Sequence, residues 1–250
     1  MLTFLDANCR MGPRMGVPST LPQQPEQLEE QYRRFGVEWG LCTHGWSEEY
    51  DALEGNLRME AIAAEHPAFG VCASVLPRSS DQFPGVDDLP AHLDAVKALA
   101  ARISPRLHGF EAIPTVLGEV LEVLVAREMP LIVAYTEIGW RDLDQLLGDF
   151  PKLVVILEGL GYRDDRTLFP LMARHPGLRI ETSRYVGHKA LESIADRFGV
   201  HRLLFGSGLP VSTPSAPIGR VLFADLSDAD KHAIAYGNLS ELVGTRVVAS

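Results

Sequence analysis

The sequence is poor in cysteine, has no long apolar run and carries no excess of positive charge. Three cysteines, Cys9, Cys42 and Cys72, cannot all pair with one another, so a disulfide scaffold is excluded and a reduced compartment is expected. No apolar run approaches the roughly 18 residues of a membrane span. Acidic residues outnumber basic ones by 33 to 23, giving a net charge of −10. Such a chain lacks the basic footprint that nucleic acids and anionic membranes require, so neither is expected as a partner. GxGxxG and Walker-type phosphate loops are missing, as is a GxSxG nucleophile elbow. The opening segment MLTFLDANCR has neither the basic nor the apolar region of a signal peptide, and a cytoplasmic location is the expectation.

What is present is alternation. Short apolar runs at residues 2–7, 37–43, 69–76, 107–113, 130–136, 153–157, 178–182 and 202–207 are separated by amphipathic stretches. The stretches at 27–35, 48–65, 89–103, 116–127, 141–148, 166–174, 189–198 and 228–236 have helical spacing, and Ser227 with Asp230 marks a capped helix start. Runs such as LIVAY and LVVIL are nearly continuous in apolar residues, as parallel strands covered on both faces must be. Eight strand–helix units predict an α/β fold, a single (β/α)8 TIM barrel spanning residues 1–250. An open doubly wound sheet shares the same alternation. Three loops rich in Pro, Gly and Ser, at 11–25, 77–88 and 209–219, each follow a strand, which in a barrel places them on the face where ligands bind.

Asp6-Ala7-Asn8-Cys9-Arg10 ends the first strand, LVVILEGLG stands at 153–161, RLLFGSGLP at 202–210, and Gly237-Asn238 is followed by Leu242. In this order and spacing these segments resemble the amidohydrolase-related family of metal-dependent barrels. The resemblance covers nearly the whole chain and implies hydrolase or decarboxylase chemistry, with a homodimer as one expectation. It also implies a metal site, yet this chain has Asn8 and Arg10 where two first-strand histidines would fall. Ala134 stands for a fifth-strand histidine, Gly159 for a sixth-strand one and Gly208 for the eighth-strand aspartate. Glycine and alanine supply no donor, and arginine brings a permanent positive charge. No metal ligand and no cofactor are therefore expected.

The remaining polar residues at expected strand ends define the candidate site. Asn8 and Arg10 are two apart and share a face of their strand. Arg10 either holds an anionic or carbonyl ligand or pairs with a buried acid, for which Glu111, Glu158 and Glu137 are candidates. His108, at the start of the expected fourth strand, and Tyr135 are the acid–base candidates beside Arg10. Trp46, Glu111, Thr136, Glu158 and Arg184 are candidate substrate contacts with Asn8, and each has a plain packing or capping alternative. The cysteines read as small buried hydrophobes. These residues point to a metal-independent hydrolase or lyase acting on a small anionic or carbonyl compound. Two alternatives stand beside it. One is a barrel that has lost its chemistry and binds a ligand or partner. The other is a metal-dependent hydrolase with displaced ligands drawn from His44, His108 or Glu158.

Overall fold

Runs that are apolar at successive positions can be satisfied only by cover on both faces, and parallel pairing inside a ring of helices supplies it. The computed structural model describes residues 2–78, 83–85 and 87–244. In chain order it runs β1 (Phe4–Met11), α1 (Pro25–Phe35), β2 (Val37–His44), α2 (Gly45–Glu49), α3 (Ala52–Glu65), β3 (Phe69–Ser74), α4 (Leu89–Ala95), β4 (Ala98–Ile103), α5 (Pro105–His108), α6 (Pro114–Ala126) and β5 (Leu131–Ala134). It continues through α7 (Trp140–Asp149), β6 (Val155–Glu158), α8 (Asp165–Arg174), β7 (Leu178–Glu181), α9 (Ala190–Phe198), β8 (Leu203–Leu204), α10 (Ser215–Phe223), α11 (Asp228–His232) and α12 (Asn238–Val243). The eight strands lie side by side in sequence order, each parallel to the next. Bonds from Ala7 N–H to Phe205 O (2.9 Å), Arg10 N–H to Leu209 O (3.0 Å) and Gly208 N–H to Asn8 O (3.2 Å) join the last strand to the first. The molecule is the expected (β/α)8 barrel, and these bonds exclude the open sheet. Among the described residues no helix is long and apolar enough to cross a membrane.

The barrel interior has two storeys. Leu5, Ala7, Trp39, Leu41, Cys72, Ala100, Ile132, Ile156 and Leu204 fill the lower one, packed against Leu239 and Val243 of α12. One pleat higher the inward residues become polar, and Asn8, Thr43, Arg102, Glu158 and Glu181 are all buried. Cys9 and Cys42 face the strand–helix core, Cys72 faces the barrel interior, and all three are free.

Asp6 fastens the seam between β1 and β8. Its carboxylate accepts from Ser207 N–H (2.8 Å), the Ser207 hydroxyl, Asn8 N–H (2.9 Å) and the Tyr32 hydroxyl of α1 (2.8 Å). Burial lifts its pKa above the ordinary carboxylate range, against the pull of those donors. Gly40 makes room for this clamp, since a Cβ there would come within 2.1 Å of the Tyr32 hydroxyl.

The structure corrects four boundaries. The helix expected over 89–103 is α4 followed by β4, split at Val96–Lys97, where Lys97 adopts φ 53°. The strand expected over 107–113 is absent. Pro105 opens the short α5 instead, and Gly109, at φ 72°, ends it. The alanine-rich run ALAARI favours helix locally, but the ring needs a strand there, and tertiary pairing overrides propensity. The helix expected over 48–65 is broken at Tyr50–Asp51 into α2 and α3, which swings Glu48 toward the barrel mouth. The loop expected at 209–219 is shorter, because α10 begins at Ser215; the 77–88 loop lies partly outside the described residues. Ser227 caps α11 as read, accepting Asp230 N–H at 3.1 Å.

Replacing Asp6 with alanine orphans the Ser207 amide and the Tyr32 hydroxyl in a dry seam. The expected loss is on the order of 3 kcal/mol in denaturant unfolding, with the m-value unchanged. A loss below half of that would mean that the seam is held by the strand backbones alone.

Candidate active site

The upper storey is an ion cluster. Arg10 leaves β1 and donates from Nε to Glu48 Oε2 (3.0 Å), from Nη1 to Asn8 Oδ1 (2.8 Å) and from Nη2 to Glu158 Oε1. Arg102 of β4 donates to both oxygens of Glu158, at 2.7 and 3.0 Å, and from Nε to Thr43 Oγ1 at 3.0 Å. Burial alone would raise the Glu158 carboxyl, but Arg10 and Arg102 outweigh it and hold its pKa at about 2. Glu48 is likewise held below the carboxylate range, against burial, by Arg10, Arg102 and Arg14, whose Nε lies 3.5 Å from it. Burial would weaken the charge on Arg10, but Glu158 and Glu48 hold its pKa above the ordinary arginine value. Two guanidiniums and two carboxylates are thus ionised at the centre of the cluster, and Arg14 adds a third cation at its edge.

Glu181 is different. Asn8 Nδ2 donates to its Oε2 (3.0 Å), as does the Ser183 hydroxyl (2.8 Å), while the Ser183 amide donates to Oε1. Among the described residues no cation forms a salt bridge with it. Burial lifts its pKa to about 7; the Asn8 bond opposes the rise and the charge on Glu158 adds to it. Asn8 therefore joins the two halves of the site, its amide oxygen on Arg10 and its amide nitrogen on Glu181. Gly206 must lack a side chain, because a Cβ there would lie 1.9 Å from Glu181 Oε1.

Beside the cluster the mouth opens into a cavity of about 740 Å³, bounded by Ser47, Glu48, Tyr50, Leu76, Leu107 and His108 among others. That volume lies within the roughly 300–1,000 Å³ of small-molecule sites. His108 Nε2 lies 2.8 Å from the Glu48 carbonyl oxygen, which can only accept, so Nε2 carries the proton. Its Nδ1 is left as an acceptor without a partner among the described residues.

The structure thus gathers Arg10, Asn8 and Glu158 into one cluster and puts His108 on the adjoining wall. It does so from α5, not from a fourth strand. Glu158 is one of the acids that pair with Arg10; Glu111 and Glu137 are not. Glu111 is exposed and borders a separate cavity of about 550 Å³ with Glu137 and Asp142. Trp46 stands outside the cluster with the Arg58 guanidinium over its ring, 3.7 Å from the centroid. Tyr135 is half-buried and packs on the hydrophobic core, and Thr136 and Arg184 are exposed. Arg102, Glu48 and Glu181 were not anticipated. Arg102 carried a signal, a charge at alternate spacing in an otherwise apolar ALAARI run.

These residues do not suit a divalent metal. Ala134, Gly159 and Gly208 bring no donor, both Glu158 oxygens already accept from guanidiniums, and a charged Arg10 stands among them. His44 accepts Trp46 N–H at 3.2 Å and lies against Gly12. Among the described residues no three His, Cys, Asp or Glu side chains are grouped to hold an ion.

The Amidohydrolase family model matches residues 45–244. The chain belongs to the amidohydrolase family. No curated protein sequence matches it significantly. An uncharacterised TIM-barrel protein from Bordetella bronchiseptica superposes with TM-score 0.76 at 18% identity, over 97% of this chain and 98% of that one. A dihydroxybenzoic acid decarboxylase from Polaromonas, with bound manganese and the inhibitor 2-nitroresorcinol, gives 0.76 at 12% identity, over 97% of each chain. A 5-carboxyvanillate decarboxylase from Sphingomonas paucimobilis gives 0.73 at 13%, over 97% of this chain and 99% of that one. At such identities the likeness speaks for the fold, and this amidohydrolase-family mouth must be read from its own residues.

Glu181 sets a pH dependence. Its folded pKa, about 7, lies above its ordinary value of 4.5, so the folded state holds a proton that the unfolded chain releases. Stability is expected to fall, on the order of 3 kcal/mol, as pH rises from about 4.5 to 7, and Glu181→Gln should flatten that slope. Urea midpoints across this range test it, and equal slopes in the two proteins would refute it.

Proposed function

We propose that this amidohydrolase-family barrel is a metal-independent enzyme, of hydrolase or lyase type, acting on a small compound whose reacting oxygen is a carbonyl or an anion. The observation that carries this reading is the cavity of about 740 Å³ whose wall joins Glu48 of the ion cluster to His108. In the reading, the guanidiniums take over the electrostatic part of a metal's work. Arg10 keeps a second hydrogen on each Nη nitrogen after its contacts with Asn8 and Glu158, and its side chain is 13% exposed. Because Glu48 and Glu158 already offset most of the positive charge of the cluster, those hydrogens suit a carbonyl or enolate oxygen that gains charge during reaction better than a fully charged anchor. His108 borders the cavity, its Nδ1 is a buried acceptor without a partner among the described residues, and in this reading it carries the proton once substrate reaches that atom. Apolar Leu76, Leu107 and Tyr50 would enclose the body of the substrate.

A second reading has its own support. Each charge of the cluster is matched within the protein, the arrangement expected of a barrel that binds a ligand or partner without transforming it. His108→Ala separates the two. Screened with lactones, esters and oxo acids, the enzyme should lose about 10²–10⁴-fold in kcat on this substitution, with its melting temperature held. A family-wide screen without turnover, accompanied by saturable ligand binding that His108→Ala leaves intact, would favour the second reading. Metal analysis after incubation with zinc and manganese is expected to give well below one ion per chain. Near-stoichiometric metal would overturn the metal-independent reading.

A further inference from the structure

The acceptors around Arg10 come from three different elements, and each is held in place by something other than Arg10. Glu158, on β6, is gripped through both oxygens by Arg102 at 2.7 and 3.0 Å. Asn8, on β1, is oriented by its bond to Glu181 at 3.0 Å. Glu48, on α2, lies 3.5 Å from Arg14 Nε and accepts from the Ser104 hydroxyl at 3.4 Å. All three residues are buried. Glu48 Oε2, Asn8 Oδ1 and Glu158 Oε1 then meet Nε, Nη1 and Nη2 respectively, one oxygen for each nitrogen of a single planar group. That is the recognition pattern of a guanidinium. A metal ion would need the same oxygens drawn to within about 2.0–2.6 Å of one point.

We propose that Glu48, Glu158 and Asn8 form a preorganised guanidinium-binding cage, which this chain fills with its own Arg10. The cage deepens the metal-independent reading and rests on it, because Arg10 is then a tethered cation that cannot exchange. Its geometry selects a planar alkylguanidinium over an alkylammonium or a divalent metal, and wild-type protein offers it no vacancy.

Arg10→Ala opens the cage, and ethylguanidinium at millimolar, non-denaturing concentration is the probe, with ethylammonium and sodium chloride as controls at equal ionic strength. Saturable stabilisation of the variant is expected, about 3–6 °C in Tm at ten times Kd, with little response to ethylammonium and none in the wild type. Adding Glu158→Gln to the variant should abolish the response. Should Arg10→Ala not fold alone, recovery of native circular dichroism on refolding with ethylguanidinium, and not with ethylammonium, gives the same answer. Equal effects of the two organic cations, or a matching rise in the wild type, would overturn the cage. So would failure to refold with ethylguanidinium when Arg10→Lys folds unaided. Stronger stabilisation of Arg10→Ala by manganese than by ethylguanidinium would also reject the guanidinium cage, while leaving the wild-type metal analysis to decide the metal-independent reading separately.

Discussion

The mouth of this barrel is organised by one constraint: four ionised groups sit largely out of water, so each must be matched by its neighbours. Glu158 is 3% exposed and Arg102 2%. At such burial the cost of removing ions from water is repaid only when geometry is close and every lone pair is used. Arg102 meets Glu158 through two parallel bonds, Arg10 bridges Glu158 to Glu48, and Thr43 and Asn8 accept from Arg102 Nε and Arg10 Nη1. The strands β1, β4 and β6 and the helix α2 are thereby tied across the barrel, not only around its wall. Loss of one partner leaves the others charged and dry, which is why the cluster behaves as a unit.

The same constraint shapes the chemistry open to the site. A bound dication attracts and polarises; a cluster whose acids offset most of its positive charge offers directed N–H groups and a weaker net field. Glu181, joined to the cluster through Asn8 but in no salt bridge among the described residues, keeps its proton until about neutral pH. A matched ion pair, a carboxyl poised near neutrality and a histidine with one committed nitrogen lie within one storey and its adjoining wall. Burial and the neighbouring charges hold Glu158 and Glu181 in different protonation regimes.

The closure of the ring depends on a smaller version of the same rule. Asp6 gathers two bonds from Ser207 and one from Tyr32, so the seam between β8 and β1 and the first helix share one buried acceptor. Gly40 and Gly206 are the steric counterparts of these polar contacts. Each is a place where a methyl group would strike the atom that does the holding, Tyr32 Oη in one case and Glu181 Oε1 in the other.

The barrel was legible because strand and helix periods are local properties of the chain, and eight alternations in 250 residues leave little else to build. The pairing of Asn8 with Arg10 was legible for the same reason, since residues two apart on a strand share a face. Where local preference and the ring disagreed, the reading failed. ALAARI looks helical by composition and became β4 only because the sheet required a strand there, which hid Arg102 inside an apparent helix. Glu48 entered the site through a helix break at Tyr50–Asp51, and His108 reached the cavity wall from α5 instead of a strand. The partners of Arg10 lie 38 and 148 residues away along the chain. Sequence by itself determined the fold class and the kinds of group available. Tertiary structure alone decided which charges meet, because burial and distance, not order along the chain, set the energy of an ion pair.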